Sequence, residues 1–406
     1  MIKLKYLVVL ADGMADYPIP ELNGKTPLQV SKKPNMDRLA QLGEVGLVRN
    51  VPPGMPPGSD VANLAVMGYN PLQFYTGRSP LEAISIGVEM APTDISFRCN
   101  LVTLTDAPTV GARIMVDYSA GEITTQESEV LIKDLAKVLN SNEITLYPGI
   151  SYRHLMVWRN GPSKCRLTPP HDISDRSIGA YLPQGEASNI LLELMKQSWP
   201  ILGNHPVNQA RKEAGLNPAN SIWFWGEGRK PKISSFTEKY GLKGSVISAV
   251  DLAKGLGTAA GLKVINVPGA TGNIHTNFQG KARAALEAFK SGDDFVYLHI
   301  EAPDEAGHQG DLQTKISAIE RIDAEVLGVI LAELPRIADF KLMLLPDHPT
   351  PLALKTHVGD PVPYVIYQTG KNSVKSSTAV FDEVAAAGTG IKVDEGYRLM
   401  DRFIKG

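Results

Sequence analysis

Apolar residues in this chain fall into two textures. Short, largely apolar runs (Leu4–Leu10, Phe295–Ile300, Lys341–Leu345, Val362–Tyr367) read as strands buried on both faces. Between them, apolar positions recur every three or four residues in Lys33–Leu42, Lys281–Lys290 and Asp311–Ala332, predicting amphipathic helices. Strand and helix alternate again through Lys243–Val250, Val250–Leu256 and Leu262–Val267, and a closing helix falls within Val380–Lys405. This is the pattern of an α/β fold with a mostly parallel sheet flanked by helices. The texture changes near Ser96. Arg98–Leu104, Arg113–Tyr118, Ile144–Tyr147, His154–Trp158 and Ser221–Gly228 read as strands around helices at Gln126–Leu139 and within Ile178–Met195. The expected organisation is a discontinuous core, residues 1–95 and 233–406, with an inserted α+β domain at 96–232.

With 406 residues and 43% apolar content, the chain has the material for full-sized cores. A net charge of −2 argues against a nucleic-acid or anionic-membrane surface as the main partner. Any anionic small substrate therefore has to be met by a local cluster of Arg, Lys or metal ions. Two cysteines, Cys99 and Cys165, are too few for a disulfide framework and make a reducing cytoplasm the default compartment. The run Tyr6–Ala11 ends at Asp12, too short for a secretory segment, and no run reaches the length of a membrane span.

Candidate chemistry gathers where strands end. Phe295–Ile300 runs into Glu301, Asp304, Glu305, His308 and Asp311, and Pro303 is placed to open a helical turn that sets Asp304 and His308 on one face. Leu4–Leu10 delivers Asp12, and Lys341–Leu345 delivers Asp347 and His348, with His357 nine residues further on. Carboxylate and imidazole at three strand ends exceed the needs of one ion and suggest two metals, with Mn²⁺, Zn²⁺ and Mg²⁺ all compatible with such donors. Ser59 follows the stiff loop VPPGMPPG at a helix start. Alone it reads as an ordinary N-cap; beside a two-metal site it reads as a phosphoryl acceptor.

The ordered set LADG (Asp12), PPGSDVANLAVMGYNP (Ser59), EAPDEAGHQGD (Asp304, His308), LPDH (Asp347, His348) and THVGDPVPYVIY (His357) resembles the cofactor-independent phosphoglycerate mutases. The match is to their shorter, archaeal-type branch, within the alkaline phosphatase superfamily. The resemblance implies one metal at Asp304, His308 and His357, another at Asp12, Ser59, Asp347 and His348, and no 2,3-bisphosphoglycerate. It implies a serine that takes the phosphoryl group of 3-phosphoglycerate and returns it to the 2-hydroxyl of retained glycerate, in glycolysis or gluconeogenesis. Mn²⁺ is the first choice of metal. Glu301, Glu305 and Asp311 are expected not to be ligands. In the insert, His171 and Asp172 are the candidates for acid–base work. Arg78, Arg153, His154, Asp175, Arg176 and Arg211 are the candidates for holding a small phosphorylated carboxylic acid. A metal-dependent phosphatase or phosphodiesterase on the same core, or a phosphotransferase acting on a small alcohol or amino alcohol, are the alternatives.

Overall fold

The computed structural model describes residues 4–162, 164–371 and 378–406. Two compact units divide the chain, Met1–Tyr75 with Lys232–Gly406, and Thr76–Pro231.

The first unit is built on an eight-stranded sheet. Its order is Lys263–Ile265, Gly244–Ile247, Phe295–Ile300, Lys5–Ala11, Phe340–Leu345, Val362–Gln368, Glu44–Val48 and Lys392–Val393. Neighbours are parallel throughout, except that Val362–Gln368 runs against both of its own. Alternation along the central strands assigns their faces. Leu7, Val9 and Ala11, Val296, Leu298 and Ile300, and Leu342 and Leu344 all enter one large apolar core. The intervening Tyr297 and His299 project to the other face.

Register then aligns the chemistry. Ala11 sits opposite Ile300, and Leu10 opposite Leu345. Carried one residue past Ala11 and Ile300 and two past Leu345, this register brings Asp12, Glu301 and Asp347 side by side at the carboxyl edge of the sheet, where open α/β sheets bind ligands. The loop after Asp347 is held from below by Lys315, which is fully buried. Its ammonium donates to Asp16 Oδ2 at 2.7 Å, Thr350 O at 2.8 Å and Ala15 O at 3.3 Å, so its charge is both paired and solvated by carbonyls.

The helix expected over Asp311–Ala332 is interrupted. An α-helix at Leu312–Arg321 passes into a π-helical segment, Ile322–Leu327, before Gly328–Glu333. The wide turn carries the buried Asp323, whose carboxylate accepts the backbone N–H groups of Asn35 and Met36. The closing helix is confined to Tyr397–Lys405.

The second unit has its own core and an antiparallel sheet of five strands: Met115–Asp117, Ile95–Leu104, Arg153–Trp158 and Ile144–Ile150 in order, with Ser221–Arg229 also paired to Ile95–Leu104. Helices Thr125–Leu139 and Ser188–Gly203 contribute to that core. The unit starts at Thr76, twenty residues before the expected boundary at 96. The reason is local. The segment entering this unit pairs with the segment leaving it, Thr76 Oγ1 donating to Arg229 O at 2.6 Å, and Gly77 approaches Glu227 so closely that a Cβ would lie 2.1 Å from its carbonyl oxygen. Ser79, first residue of the helix Ser79–Ser85, donates to Ser96 O at 2.8 Å. Residues 76–95, and Arg78 with them, thus belong with the insert.

Candidate active site

Ser59 is the first residue of the helix Ser59–Val66, not its N-cap. That position falls to Gly58, and no side chain caps this helix. The hydroxyl is thereby left for other work, and it lies 3.0 Å from His348 Nε2. One turn on, Asn63 ties the helix to the sheet edge, its amide donating to Asp347 Oδ2 at 2.8 Å and to Ser59 O at 2.9 Å while Oδ1 accepts the Tyr297 hydroxyl at 2.7 Å.

Around Ser59 the carboxylates and imidazoles converge. His348 Nε2 is 3.2 Å from Asp347 Oδ2 and 3.6 Å from Asp12 Oδ1. Asp347 Oδ1 accepts the N–H groups of Gly13 and His348. On the other side, Pro303 lies in the first turn of the helix Ala302–Gln309, and Asp304 and His308 share a face one turn apart, 3.2 Å between Oδ2 and Nε2. His357 Nε2 completes that cluster, 2.8 Å from His308 Nε2 and 3.4 Å from Asp304 Oδ1. All seven residues assigned to metal or nucleophile from sequence are therefore together in the first unit.

Three sets of donors lie close enough to share an ion: Asp304, His348 and His357; Asp12, Asp347 and His348; and Asp12, Glu301 and Asp304, with the ligand atoms of each within 4.8 Å of one another. His348 thus reaches both sides of the expected division. Glu301, set aside from sequence, lies among the potential donors. Glu305 and Asp311 do not: Glu305 accepts from Gln309, and Asp311 caps the helix Leu312–Arg321 through Thr314.

The donors fit a cation on their own chemistry. Asp12 Oδ1 is buried with no hydrogen-bond partner, a costly state for a carboxylate oxygen. Burial, then the neighbouring charges of Asp347 and Asp304, raise its pKa well above the ordinary range. Asp304 goes the other way. Burial opposes ionisation, but hydrogen bonds from His308 and His357 outweigh it and hold its carboxyl well below that range. His308 is itself pushed up to about 9, since Asp304 and the Lys355 carbonyl more than offset its burial. Nδ1 of His308 faces Lys355 O at 3.0 Å, so the neutral ring carries its proton there and turns the Nε2 lone pair toward Asp304 and His357. Without a cation, a proton on His308 is what supplies positive charge at this point.

Four further residues belong to this cluster. His299 lies within an apolar run, where a histidine in a buried strand is a visible anomaly; its Nε2 is 2.9 Å from Asp12 Oδ2. Thr350 donates to Asp304 Oδ1, and Asn63 carried no signal beyond its spacing of four from Ser59. Gly13 adopts φ +60°, and a Cβ there would lie 2.5 Å from Asp304 Oδ1 and 2.7 Å from Asp304 Cα. Gly13→Ala should therefore displace Asp304, costing ~1–3 kcal/mol in strain and weakening metal binding. Thermal melts and Mn²⁺ titration of the variant check this, and a native-like result in both would refute it.

The insert residues separate into two kinds. His154 and Arg211 are internal. His154 is 2% exposed, accepts the Gly149 N–H on Nδ1 at 3.0 Å, and is pushed by burial to about 3, so it is a neutral core group. Arg211, 3% exposed, spends its guanidinium on both Glu127 oxygens and on the carbonyls of Ala120 and Asn217. Both side chains are buried in the core of the second unit, Arg211 held by Glu127 and two carbonyls and His154 with its Nε2 buried and without a hydrogen-bond partner, and that burial sets them apart from the exposed candidates. His171, Asp172, Asp175 and Arg176 are exposed, the His171 and Asp172 side chains 3.6 Å apart. Arg78 and Arg98, the latter unremarked in the sequence, flank the partly buried Glu82 at 3.1 and 2.9 Å. Burial works against its ionisation, but the two guanidinium charges prevail and lower its pKa. Arg98 also lies over Trp225, whose ring meets His171 edge-on, and Arg153 lies over Tyr152. The second unit thus pairs guanidinium groups with aromatic rings at Arg98–Trp225 and Arg153–Tyr152.

Comparison with known proteins agrees with this architecture. A family model for 2,3-bisphosphoglycerate-independent phosphoglycerate mutase matches residues 40–208. The chain is 53% identical, over 99% of its length and 100% of the relative's, to a Geobacter sulfurreducens protein named as a probable 2,3-bisphosphoglycerate-independent phosphoglycerate mutase. It is 50% identical, over 99% of its length and all of the relative, to the Methanothrix thermoacetophila protein of that name. Among solved structures, the cofactor-independent phosphoglycerate mutase of Thermoplasma acidophilum aligns over 99% of both chains with a TM-score of 0.62 and 26% identity. Identity at this level along nearly the whole chain places it in the family of 2,3-bisphosphoglycerate-independent phosphoglycerate mutases.

Proposed function

We propose that the chain interconverts 3-phosphoglycerate and 2-phosphoglycerate through a phosphoserine at Ser59, without 2,3-bisphosphoglycerate. The observation that carries this reading is the Ser59 hydroxyl, free of capping duty and 3.0 Å from His348 Nε2 within a cluster of carboxylates and imidazoles. The Ser59 oxygen attacks phosphorus as the bond to the 3-oxygen of glycerate breaks, and the departing oxygen takes a proton. The 2-hydroxyl of the same glycerate then loses a proton, attacks the phosphoserine and returns the serine hydroxyl. No phosphate or water is consumed.

Divalent ions held by Asp304, His308 and His357 and by Asp12, Ser59, Asp347 and His348 would make the hydroxyl a better nucleophile and neutralise charge on the transferring phosphoryl group. Mn²⁺ is our first choice, with Zn²⁺ or Mg²⁺ as alternatives. Asn63 and Tyr297 hold the helix that carries Ser59 against the strand ends, fixing the direction of attack. Arg78, Arg153 and Arg176 supply cations for the substrate's carboxylate and phosphate, Asp175 contributes to the same substrate binding, and His171 with Asp172 exchange protons with the glycerate hydroxyls. We place the enzyme in the cytoplasm, in keeping with free Cys99 and Cys165; no helix among the described residues is long and apolar enough to cross a membrane.

The test is incubation with 3-phosphoglycerate and Mn²⁺ in the absence of 2,3-bisphosphoglycerate, following 2-phosphoglycerate and free phosphate together. Formation of 2-phosphoglycerate without phosphate release supports a mutase. Phosphate release alone assigns the site to a phosphatase.

A further inference from the structure

Three strand ends meet at His299. The strand Gly244–Ile247 lies on one side of Phe295–Ile300 and Lys5–Ala11 on the other, so Ser248 and Asp12 approach His299 from opposite flanks. All three side chains are buried: Ser248 is 3% exposed, His299 1% and Asp12 2%. Ser248 Oγ is 3.0 Å from His299 Nδ1, and His299 Nε2 is 2.9 Å from Asp12 Oδ2.

Hydrogen-bond logic orients this chain of groups. Ser248 Oγ already accepts the Val250 N–H at 2.9 Å, so its own proton is available to His299 Nδ1. With Nδ1 an acceptor, the neutral ring carries its proton on Nε2 and donates it to Asp12 Oδ2. That oxygen is then occupied. Oδ1, the other oxygen of the same carboxylate, has no hydrogen-bond partner and lies 3.6 Å from His348 Nε2.

We infer that Ser248 and His299 act as a positioning relay that fixes the Asp12 carboxylate, holding Oδ2 so that Oδ1 is presented to a divalent cation shared with Asp347 and His348. The inference rests on Asp12 being a metal ligand, as read above, and adds which groups set its geometry. Imidazoles outside a coordination sphere commonly steer a ligating carboxylate, and losing such a partner typically weakens metal binding ~10–100-fold. A core histidine kept only to fill space would leave the metal untouched. The two roles therefore differ in what they do to binding rather than to folding.

The experiment is calorimetric titration of Mn²⁺ into chelator-treated full-length chain, with thermal melts alongside, for wild type, His299→Leu, His299→Gln and Ser248→Ala. His299→Leu should weaken one of the two Mn²⁺ sites by ~10–100-fold and leave the other unchanged. His299→Gln should recover most of that loss, because a glutamine amide can still donate to Oδ2. Ser248→Ala, which leaves the ring tautomer unset, should fall between them. Native affinity at both sites in a folded Leu variant would overturn the relay. So would a Gln variant as weak as Leu. If the Leu variant does not fold, the Gln and Ala variants decide on the same criterion, native affinity in Ser248→Ala or no recovery in Gln counting against it. Two-site Mn²⁺ binding by wild type without turnover would defeat the functional reading and leave the relay standing.

Discussion

Ser59→Ala is expected to lower mutase turnover by at least about 10⁴-fold, the scale on which removal of a nucleophile acts in enzymes with covalent intermediates. The fold should tolerate the change. Ser59 is half-buried, caps nothing, and its side chain contributes one hydrogen bond, to His348, whose loss costs about 1 kcal/mol. A melting temperature within a few degrees of wild type with turnover gone is therefore the expected combination. Wild-type protein quenched during turnover should carry phosphate on residue 59, found by mass spectrometry of its peptides. Ser59→Ala that keeps its activity would remove the phosphoserine from the mechanism and leave direct transfer, or another acceptor, in its place.

Removing divalent ions should abolish turnover and also make stability depend on pH in a defined direction. His308 has its pKa raised to about 9, against an ordinary value of 6.5. The stability it contributes is fully present below about pH 6.5 and is lost as pH rises through about 9. Asp12, also raised, acts in the same direction, since ionising it places a carboxylate beside Asp347 and Asp304. Asp304 is lowered, so its contribution is lost only in strong acid. Chelated protein should accordingly melt at progressively lower temperature from pH 6.5 to 9. Bound Mn²⁺ would take the place of the protons held at His308 and Asp12, so loaded protein should show little of this slope. At a hundredfold excess over Kd, one site adds ~2.7 kcal/mol, and the Mn²⁺-induced rise in melting temperature should be larger at pH 8.5 than at pH 6.5. An equal rise at both would contradict the assignment of these residues as ligands.

Much of the site was legible because its residues lie where simple rules apply. The i,i+4 spacing of Asp304 and His308 after Pro303 needs only a helix, and the helix is there. Asp12, Asp347 and His348 follow apolar runs long enough to be buried strands, and parallel strands present their carboxyl ends on one edge. The insert yielded less. His154 and Arg211 look like ligands in a list of charged residues, yet both are buried in the core of the second unit, and the Glu127 carboxylate holds the Arg211 guanidinium. Spacing along a chain does not show which charged side chains the packed core encloses.

By itself, then, the sequence determined the alternating α/β core, the interrupting α+β unit and the set of seven strand-end and helix residues, Ser59 among them, that the fold gathers, because periodicity and element order are local properties. Tertiary structure decided the rest. Pairing of Thr76 with Arg229 moved the start of the insert to residue 76. Approach of the helix Ala302–Gln309 to the loop after Lys5–Ala11 made Gly13 a position where only hydrogen fits. Adjacency of three strands turned His299, one polar residue in an apolar run, into the partner of Asp12. Each of these depends on groups far apart in sequence sharing a few ångströms of space, and that proximity is a property of the packed chain.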